Sequence, residues 1–320
     1  MHGWLVIDKP VGLGSTDVVS RVKRALRDGG YAKLKVGHGG TLDPLASGVL
    51  PVALGEATKL AGRMLDADKV YEFTIRFGEE TDTLDAEGEV VATSDVRPSL
   101  EQVEAVLGRF TGEIEQVPPA YSALKVDGKR AYDLARAGAK VELKSRRVRI
   151  HALSVRAEPV EAPAFSGAER GKERASTTPD QVRGRTVSCV TLTARVSKGT
   201  YIRSLARDIA RALGSVGQIT MLRRLKAGPF SLDSAISLDK MGELAKARQL
   251  EQALLPLTAG LDDIPALPVT PDQARALREG RRLAGIAAKP GLHLATDKSV
   301  PVALVELAGD ELRVVRGFNL

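Results

Sequence analysis

One segment of this 320-residue chain constrains its fold more than any other: a strand, turn and helix pattern over residues 190–214. Apolar and polar side chains alternate over residues 190–196, which is typical of a strand with one buried face. Apolar side chains then recur at helical spacing over residues 202–213, and this helix carries three arginines on one face: Arg203, Arg207 and Arg211. A strand that leads directly into an amphipathic helix predicts a mixed fold with the helix packed on a sheet.

Other segments repeat this mixture of strand and helix patterns. Residues 15–28 have helical periodicity, with Ser15 or Thr16 as the expected N-cap. Residues 71–77 alternate like a half-buried strand, and Ser99 begins a helix through a capping box. We therefore predict an α+β fold in which helices flank a mixed sheet.

Two segments differ in composition from the rest. Residues 156–186 are polar, rich in Pro and Gly and aperiodic, which predicts a disordered insertion between two paired strands. Residues 251–268 are rich in Leu and Pro and are interpreted as a linker, followed by a helix that begins at Thr270-Pro271 and by short strands. These patterns predict one domain over residues 1–250 and a small β-rich domain over residues 251–320.

The net charge of +7 points to a polyanionic partner or to a merely basic surface. Residues 195–226 contain eight basic residues and one acidic residue, so this segment alone carries a charge equal to the net charge of the chain. Aromatic residues are only 4%, which argues against a surface of stacking rings.

Compartment and cofactor signals are sparse. The chain has a single cysteine, Cys189, which excludes an internal disulfide and fits a reducing compartment. Neither a signal peptide nor a membrane-spanning stretch is evident, so we expect a cytoplasmic protein. The four histidines are scattered, which argues against a metal centre, and no metal is expected. The glycine-rich stretches complete neither a phosphate-binding loop nor a dinucleotide fingerprint, and no cofactor is expected.

The most unusual segment is residues 37–51, which read GHGGTLDPLASGVLP. It places one carboxylate, Asp43, on a glycine-lined loop that also carries His38, and Pro44 restricts Asp43 to an extended conformation. From these residues alone, Asp43 is either a turn-capping residue or a catalytic acid, and both interpretations stay open.

Residues 37–60 resemble the signature of the TruB family of tRNA pseudouridine-55 synthases. Further motifs of that family stand before and after this segment, and the whole set occurs in the family's order and covers about 225 residues. These motifs are Asp8-Lys9-Pro10, Lys69-Val70-Tyr71, Thr81-Asp82-Thr83 with Asp85, Pro118-Pro119 with Tyr121-Ser122-Ala123-Leu124-Lys125, Ser197 to Arg203, and Leu222-Arg223-Arg224. The resemblance implies a pseudouridine synthase catalytic fold over residues 1–250 and a PUA-like RNA-binding domain over residues 251–320.

The resemblance also implies an activity: isomerisation of uridine 55 in the tRNA T loop to pseudouridine, by an enzyme that acts on a flipped base without metal or cofactor. It assigns Asp43 as the nucleophile, Arg203 as the cation that keeps Asp43 ionised, and Tyr71 as the tyrosine that packs on the target base. It places Tyr201 and Leu222 in the uracil pocket and His38 against the everted stem-loop. Whether Asp43 attacks C1′ or C6 stays open.

The expected partner is the T stem-loop of tRNA, with no membrane and no obligatory oligomer, so we expect a monomer. Phosphate contacts are expected from the basic residues of segments 195–226 and 125–149. Two alternatives remain: the same chemistry on another structured RNA, and a non-catalytic chaperone of tRNA folding. An intact set of Asp43, Tyr71 and Arg203 argues against the chaperone, because binding alone does not need a nucleophile.

Overall fold

The computed structural model describes residues 1–122, 124–126, 128–137, 143–156 and 186–320. Apart from its two end positions, the predicted insertion at 156–186 lies outside the described residues. The chain divides into two compact units. We call Met1–Ala67 with Lys226–Leu320 the discontinuous unit, and Asp68–Leu225 the central unit. Across the described ranges, we find no helix that is both long and apolar enough to cross a bilayer.

The first part of the discontinuous unit is built around an antiparallel strand pair. β1 runs against β3 in continuous register from Gly3 opposite Leu54 to Lys9 opposite Gly48. This part contains β1 (Gly3–Lys9), α1 (Ser15–Asp28), β2 (Val36–His38), β3 (Ala46–Leu54), α2 (Ala61–Asp66), β13 (Phe230–Ser231), α6 (Leu238–Lys246) and β14 (Leu255–Pro256). β14 pairs with the other edge of β1, and β2 pairs with β3.

The second part of this unit is a five-stranded sheet in the order β15-β17-β18-β19-β16. Its elements are β15 (Ala266–Pro268), α7 (Pro271–Arg278), β16 (Leu283–Ala284), β17 (Gly291–Asp297), β18 (Val300–Ala308) and β19 (Glu311–Gly317). β15 runs parallel to β17 and the other pairs are antiparallel, so the sheet is mixed. The expected β-rich C-terminal region is confirmed, and Thr270 caps α7 as predicted.

The interpretation of residues 251–268 as a linker is wrong. Leu255 pairs with Trp4 through β14, and Leu257 and Leu261 are buried in the same apolar cluster as Trp4. The leucines that suggested a linker therefore fill a core. That cluster also includes Leu304 of β18, and the boundary at residues 250/251 stays a prediction.

The central unit is built on five neighbouring strands in the order β12-β4-β11-β10-β7, whose core is shared with helices. Its elements are β4 (Lys69–Phe77), β5 (Glu79–Thr81), β6 (Val90–Thr93), α3 (Leu100–Leu107), β7 (Gly112–Gln116), β8 (Lys125–Val126), β9 (Lys129–Arg130), α4 (Ala131–Arg136), β10 (Arg146–Val155), β11 (Cys189–Val196), α5 (Ile202–Ala212) and β12 (Gly217–Ala227), whose last two residues belong to the other unit. The pairs β4–β11, β11–β10 and β10–β7 are antiparallel.

Helices α3 and α5 bury their apolar faces on this sheet. Ile202, Leu205 and Ile209 of α5 lie in one core with Phe73 and Ile75 of β4. The strand, turn and helix pattern of residues 190–214 therefore folds as predicted, and the α+β class is confirmed.

Candidate functional site

Asp43 lies on the loop between β2 and β3, three residues before a buried strand. Its carbonyl accepts the Ala46 N–H at 3.0 Å, and Gly39 at the start of the loop donates its N–H to the Pro51 carbonyl at 2.8 Å. The Asp43 side chain is half-buried. His38 is the last residue of β2, pairs with Val52 of β3, and belongs to the same unit as Asp43.

The buried ammonium of Lys9 fixes this loop from one side. Lys9 has no exposed surface, and its Nζ donates to the carbonyls of Leu13 at 2.6 Å, Pro10 at 3.0 Å and Pro44 at 3.2 Å. The Pro44 carbonyl also accepts the Gly12 N–H at 2.8 Å. The residue that follows Asp43 is therefore tied to the end of β1.

Ser15 fixes the other side of the loop. Leu42 donates its N–H to Ser15 Oγ at 2.8 Å, and the Ser15 hydroxyl lies 3.1 Å from the Leu42 carbonyl. This differs from the predicted role of Ser15 as a helix cap, because Gly14 is the N-cap of α1 and Ser15 is its first residue. Both neighbours of Asp43 are held by buried polar groups from outside the loop, which fixes where the carboxylate lies.

Packing against α2 explains one glycine of the loop, Gly39. A Cβ placed on Gly39 would lie 2.6 Å from Cβ of Met64 in α2, closer than side chains can approach. The backbone can therefore pass the helix only without a side chain at this position.

Arg203 is buried at the start of α5 in the central unit. Its Nη1 donates to Asp85 Oδ2 at 3.2 Å and to the Thr83 carbonyl at 2.9 Å, and its Nη2 donates to the Tyr121 carbonyl at 3.0 Å. Only 8% of the Arg203 side chain and 10% of the Asp85 side chain are exposed. A guanidinium held by a carboxylate and two carbonyls keeps one orientation.

Besides binding Arg203, Asp85 forms hydrogen bonds within its own loop, residues 81–87. Its Oδ1 accepts the Thr83 hydroxyl at 2.6 Å and the Glu87 N–H at 3.2 Å. The sequence motif contained Asp85, but no role was assigned to it. The signal was present, because a buried arginine in a predicted site requires a carboxylate and this motif supplies one.

The neighbouring Asp82 holds the side chain of Tyr121. Its Oδ2 accepts the Tyr121 hydroxyl at 3.0 Å, and its Oδ1 accepts the Glu89 N–H at 3.0 Å. Two aspartates of one loop therefore fix the side chain of Tyr121 and, through Arg203, its carbonyl.

The remaining candidates, Tyr71, Tyr201 and Leu222, lie in the central unit. Tyr71 is on β4 opposite Ala194, Leu222 is on the adjacent β12, and both are half-buried against the same core. Tyr201 is the N-cap residue of α5, two residues before Arg203, and the Arg146 guanidinium lies 4.6 Å from the centre of its ring.

Four arginines of segment 195–226 pair with acidic side chains. These pairs are Arg195 with Asp68 at 3.1 Å, Arg203 with Asp85 at 3.2 Å, Arg207 with Asp208 at 2.8 Å and Arg211 with Glu80 at 2.7 Å. Three of the four partners come from outside the segment, which is why the local charge count overstated its positive potential. The phosphate contacts that we expect from this segment stay a prediction.

In chemical terms, the described residues offer a half-buried carboxylate on a fixed loop and a buried, oriented guanidinium. Within those residues, no three side chains of His, Cys, Asp or Glu are placed to hold a metal ion. A positioned carboxylate suits nucleophilic or acid–base chemistry.

Comparison with protein families identifies two matching regions. The N-terminal domain of TruB family pseudouridylate synthases matches residues 27–166, and the C-terminal domain of tRNA pseudouridylate synthase B matches residues 203–262. The first match contains Asp43, Tyr71 and Asp85, and the second contains Arg203 and Leu222.

Similar curated proteins extend over the whole chain. A tRNA pseudouridine synthase B of Novosphingobium aromaticivorans is 61% identical over 320 residues, covering 100% of this chain and 98% of that protein. One from Rhodospirillum rubrum is 47% identical over 330 residues, covering 100% of this chain and 97% of that protein.

A solved structure is also similar. A chain of the crystal structure of a Cbf5-Nop10-Gar1 complex is 26% identical with a TM-score of 0.69, covering 99% of this chain and 85% of that one.

Proposed function

Because the chain belongs to the TruB family of pseudouridylate synthases, we propose that it isomerises uridine 55 in the T loop of tRNA to pseudouridine. The observation that carries this proposal is the 61% identity over the whole chain with a tRNA pseudouridine synthase B. Asp43 supports it, because a nucleophile has no purpose in a protein that only binds RNA.

The reaction rearranges bonds within one nucleotide. The glycosidic bond between N1 and C1′ breaks, the base rotates, and a bond between C5 and C1′ forms. C5 loses a proton and N1 gains one, so product and substrate have the same atoms. Such a reaction needs a group that adds covalently and leaves again, and a carboxylate meets this requirement.

We propose Asp43 as this nucleophile, with Tyr71 and Arg203 as the other catalytic residues. Asp43 is carried by a loop that Lys9 and Ser15 hold, and Arg203 has a single orientation set by Asp85. Fixed geometry favours catalysis because little reorganisation is needed when the base arrives.

Substrate binding is assigned to three further residues. Tyr201 and Leu222 would contact the uracil ring, since both are half-buried and Leu222 offers apolar surface at the edge of the core. His38 would contact the everted stem-loop. The substrate base must first leave its stack, at a cost of about a few kcal/mol, which contacts to the rest of the T stem-loop offset. We expect the enzyme to work as a monomer in the cytoplasm.

The test is incubation with an unmodified tRNA transcript and with the same transcript carrying cytidine at position 55. Release of tritium from C5-labelled uridine measures turnover, and chemical mapping of pseudouridine gives its position. We expect product at position 55 only. Product at another position would favour a different RNA target, and tRNA refolding without product would favour the chaperone.

The nucleophile is tested by Asp43→Asn, with Asp28→Asn as the matched control, because Asp28 is an exposed residue at the end of α1. Asp43→Asn should abolish product and keep RNA affinity within a few-fold, whereas the control should turn over like the parent. Turnover by Asp43→Asn would refute the assignment.

Arg203→Lys tests the second residue. Lysine keeps the charge but cannot reproduce the planar fork that binds Asp85 and two carbonyls. The rate of turnover should fall more than the affinity for tRNA. If the turnover rate and the affinity for tRNA fall equally, Arg203 only binds RNA.

A further inference from the structure

Gln116 is a buried glutamine at the end of β7 to which no motif drew attention. Only 1% of its surface is exposed. Its Nε2 donates to the Tyr201 carbonyl at 3.1 Å, and its Oε1 accepts the Tyr201 N–H at 2.8 Å. One amide side chain therefore binds both polar groups of one backbone residue, in the way that a neighbouring strand would.

The residue that Gln116 holds is the starting point of α5. Tyr201 is the N-cap, and its carbonyl also accepts the Leu205 N–H, the first hydrogen bond of the helix, at 3.0 Å. A tyrosine side chain cannot cap a helix as Ser, Thr, Asp or Asn do, and no side chain caps α5. The backbone angles at this junction therefore depend on a group from elsewhere in the chain.

Adjacent residues reinforce the same junction. The Val117 carbonyl accepts the Ser204 hydroxyl at 2.8 Å and Arg207 Nη2 at 3.2 Å. The segment that begins at Gln116 thus holds the whole first turn of α5, on which Tyr201 and Arg203 lie.

We propose that Gln116 is a positioning residue for the reaction: its amide fixes the backbone of Tyr201 and thereby sets the position of Tyr201 and of the first turn of α5, which carries Arg203. It is not a catalytic residue, because it acts through Tyr201. The geometry requires glutamine itself. Asparagine is one methylene shorter, leucine fills the space without polar groups, and an ionised glutamate offers no donor to the Tyr201 carbonyl.

Gln116→Glu separates positioning from simple packing. A protonated carboxyl has one donor and one acceptor, so it can reproduce both hydrogen bonds of the amide. An ionised carboxylate has no donor and faces a carbonyl oxygen. Burial disfavours the charged form and raises the pKa of the introduced carboxyl, whereas the nearby cation of Arg146, the register partner of Gln116 on β10, acts in the opposite direction. The rate of this variant relative to the parent should be highest at low pH and fall as the pH rises.

The experiment compares Gln116→Leu and Gln116→Glu with the control Gln102→Leu. Gln102 also stabilises a helix start, since it accepts the Ser99 N–H at 2.8 Å, but α3 carries no candidate site residue. We measure single-turnover rates from pH 6 to pH 8.5, tRNA affinity, melting temperature and hydrogen exchange of the Leu205 amide.

Gln116→Leu should slow the single turnover by about tenfold or more with tRNA affinity within a few-fold, because small displacements of reacting groups are costly. The Leu205 amide should exchange faster. Gln116→Glu should approach the parent near pH 6 and fall toward the leucine variant near pH 8.5. The control should lower the melting temperature without changing the rate.

Two results would overturn the inference: an unchanged rate in Gln116→Leu, or a rate in Gln116→Glu whose ratio to the parent is constant with pH. The inference rests on the proposed function, but the two can fail separately. If the parent makes no pseudouridine, the proposed function fails, while exchange at Leu205 still decides whether Gln116 holds the junction.

Discussion

Replacing Lys9 by methionine tests how the Asp43 loop is held. Methionine keeps the length and apolar stem of lysine but removes all three hydrogen bonds to carbonyl oxygens. The Pro44 carbonyl keeps its bond from Gly12, whereas the carbonyls of Pro10 and Leu13 lose the donor that Lys9 supplies. Lys9→Met therefore removes one polar support of the loop and leaves the packing in place.

The loss of stability follows from those two carbonyls. The Lys9 bonds to these two carbonyls are only partly buried, because Pro10 is exposed and Leu13 is half-buried, so water replaces part of each lost bond. A fully buried group left without its partner costs about 1–3 kcal/mol, and the lower end of that range gives roughly 2–3 kcal/mol for the two carbonyls together. Removing a buried ammonium also removes its desolvation penalty, which offsets part of this loss. We expect a net destabilisation of about 2 kcal/mol, which lowers the melting temperature by about 4 °C at about 2 °C per kcal/mol for a large domain.

The assay is thermal unfolding together with single-turnover rates on tRNA. Lys33→Met is the matched control, because Lys33 is an exposed lysine of the same unit, and its removal should change stability by less than about 0.5 kcal/mol. We expect Lys9→Met to slow turnover more than it weakens tRNA binding, because the loop that loosens carries Asp43. A melting temperature within about 1 °C of the parent would refute this account of the loop.

Three further substitutions probe the charges. Asp85→Asn removes the charge that orients Arg203, so single turnover should slow by about tenfold while tRNA affinity stays within a few-fold; a loss of affinity as large as the loss of rate would contradict this. Burial raises the pKa of Glu56, but hydrogen bonds and nearby cations, Lys59 foremost, lower it by more, so the pKa lies below its usual value. A carboxylate whose pKa is lowered by folding stabilises the fold above its unfolded-state pKa, and this contribution is lost as the pH falls. Glu56→Gln should therefore melt at a lower temperature than the parent near pH 7, and the difference between their melting temperatures should narrow below about pH 4.5. A difference that does not change with pH would count against this account. Arg211→Gln should leave tRNA affinity and its salt dependence unchanged, because a carboxylate already binds this arginine; a smaller salt slope would show a phosphate contact.

The elements of the fold follow from the sequence wherever side chains repeat with a period. The alternation over residues 190–196 and the helical spacing over residues 202–213 each indicate an element with one buried face. In the structure these two faces pack together in one core. The capping boxes at Ser99 and Thr270 are equally local, and both form. Residues 251–268 lack a period, and their leucines turn out to be core residues.

The candidate site was predictable as a set of residues, whereas the bonds that support it were not, although Lys9 and Asp85 stand in motifs of the family. Asp43 and Arg203 stand in recognisable motifs, but the groups that hold them come from distant parts of the chain: Lys9 is 34 residues before Asp43, and Asp85 is 118 residues before Arg203. A hydrogen bond between a side chain and a distant backbone group leaves no periodic trace. Such partners become visible only when the fold brings them together.

The supports of the two units follow one physical rule. A loop or a helix start has backbone groups that regular structure does not satisfy, and burial makes each of them costly. Lys9 satisfies carbonyls beside Asp43, and Gln116 satisfies both backbone groups of Tyr201. Each bond removes an energetic penalty and also fixes a candidate site residue. Polar residues that are buried next to a candidate site and bonded to its backbone are therefore the next positions to mutate when a site has been recognised from motifs alone.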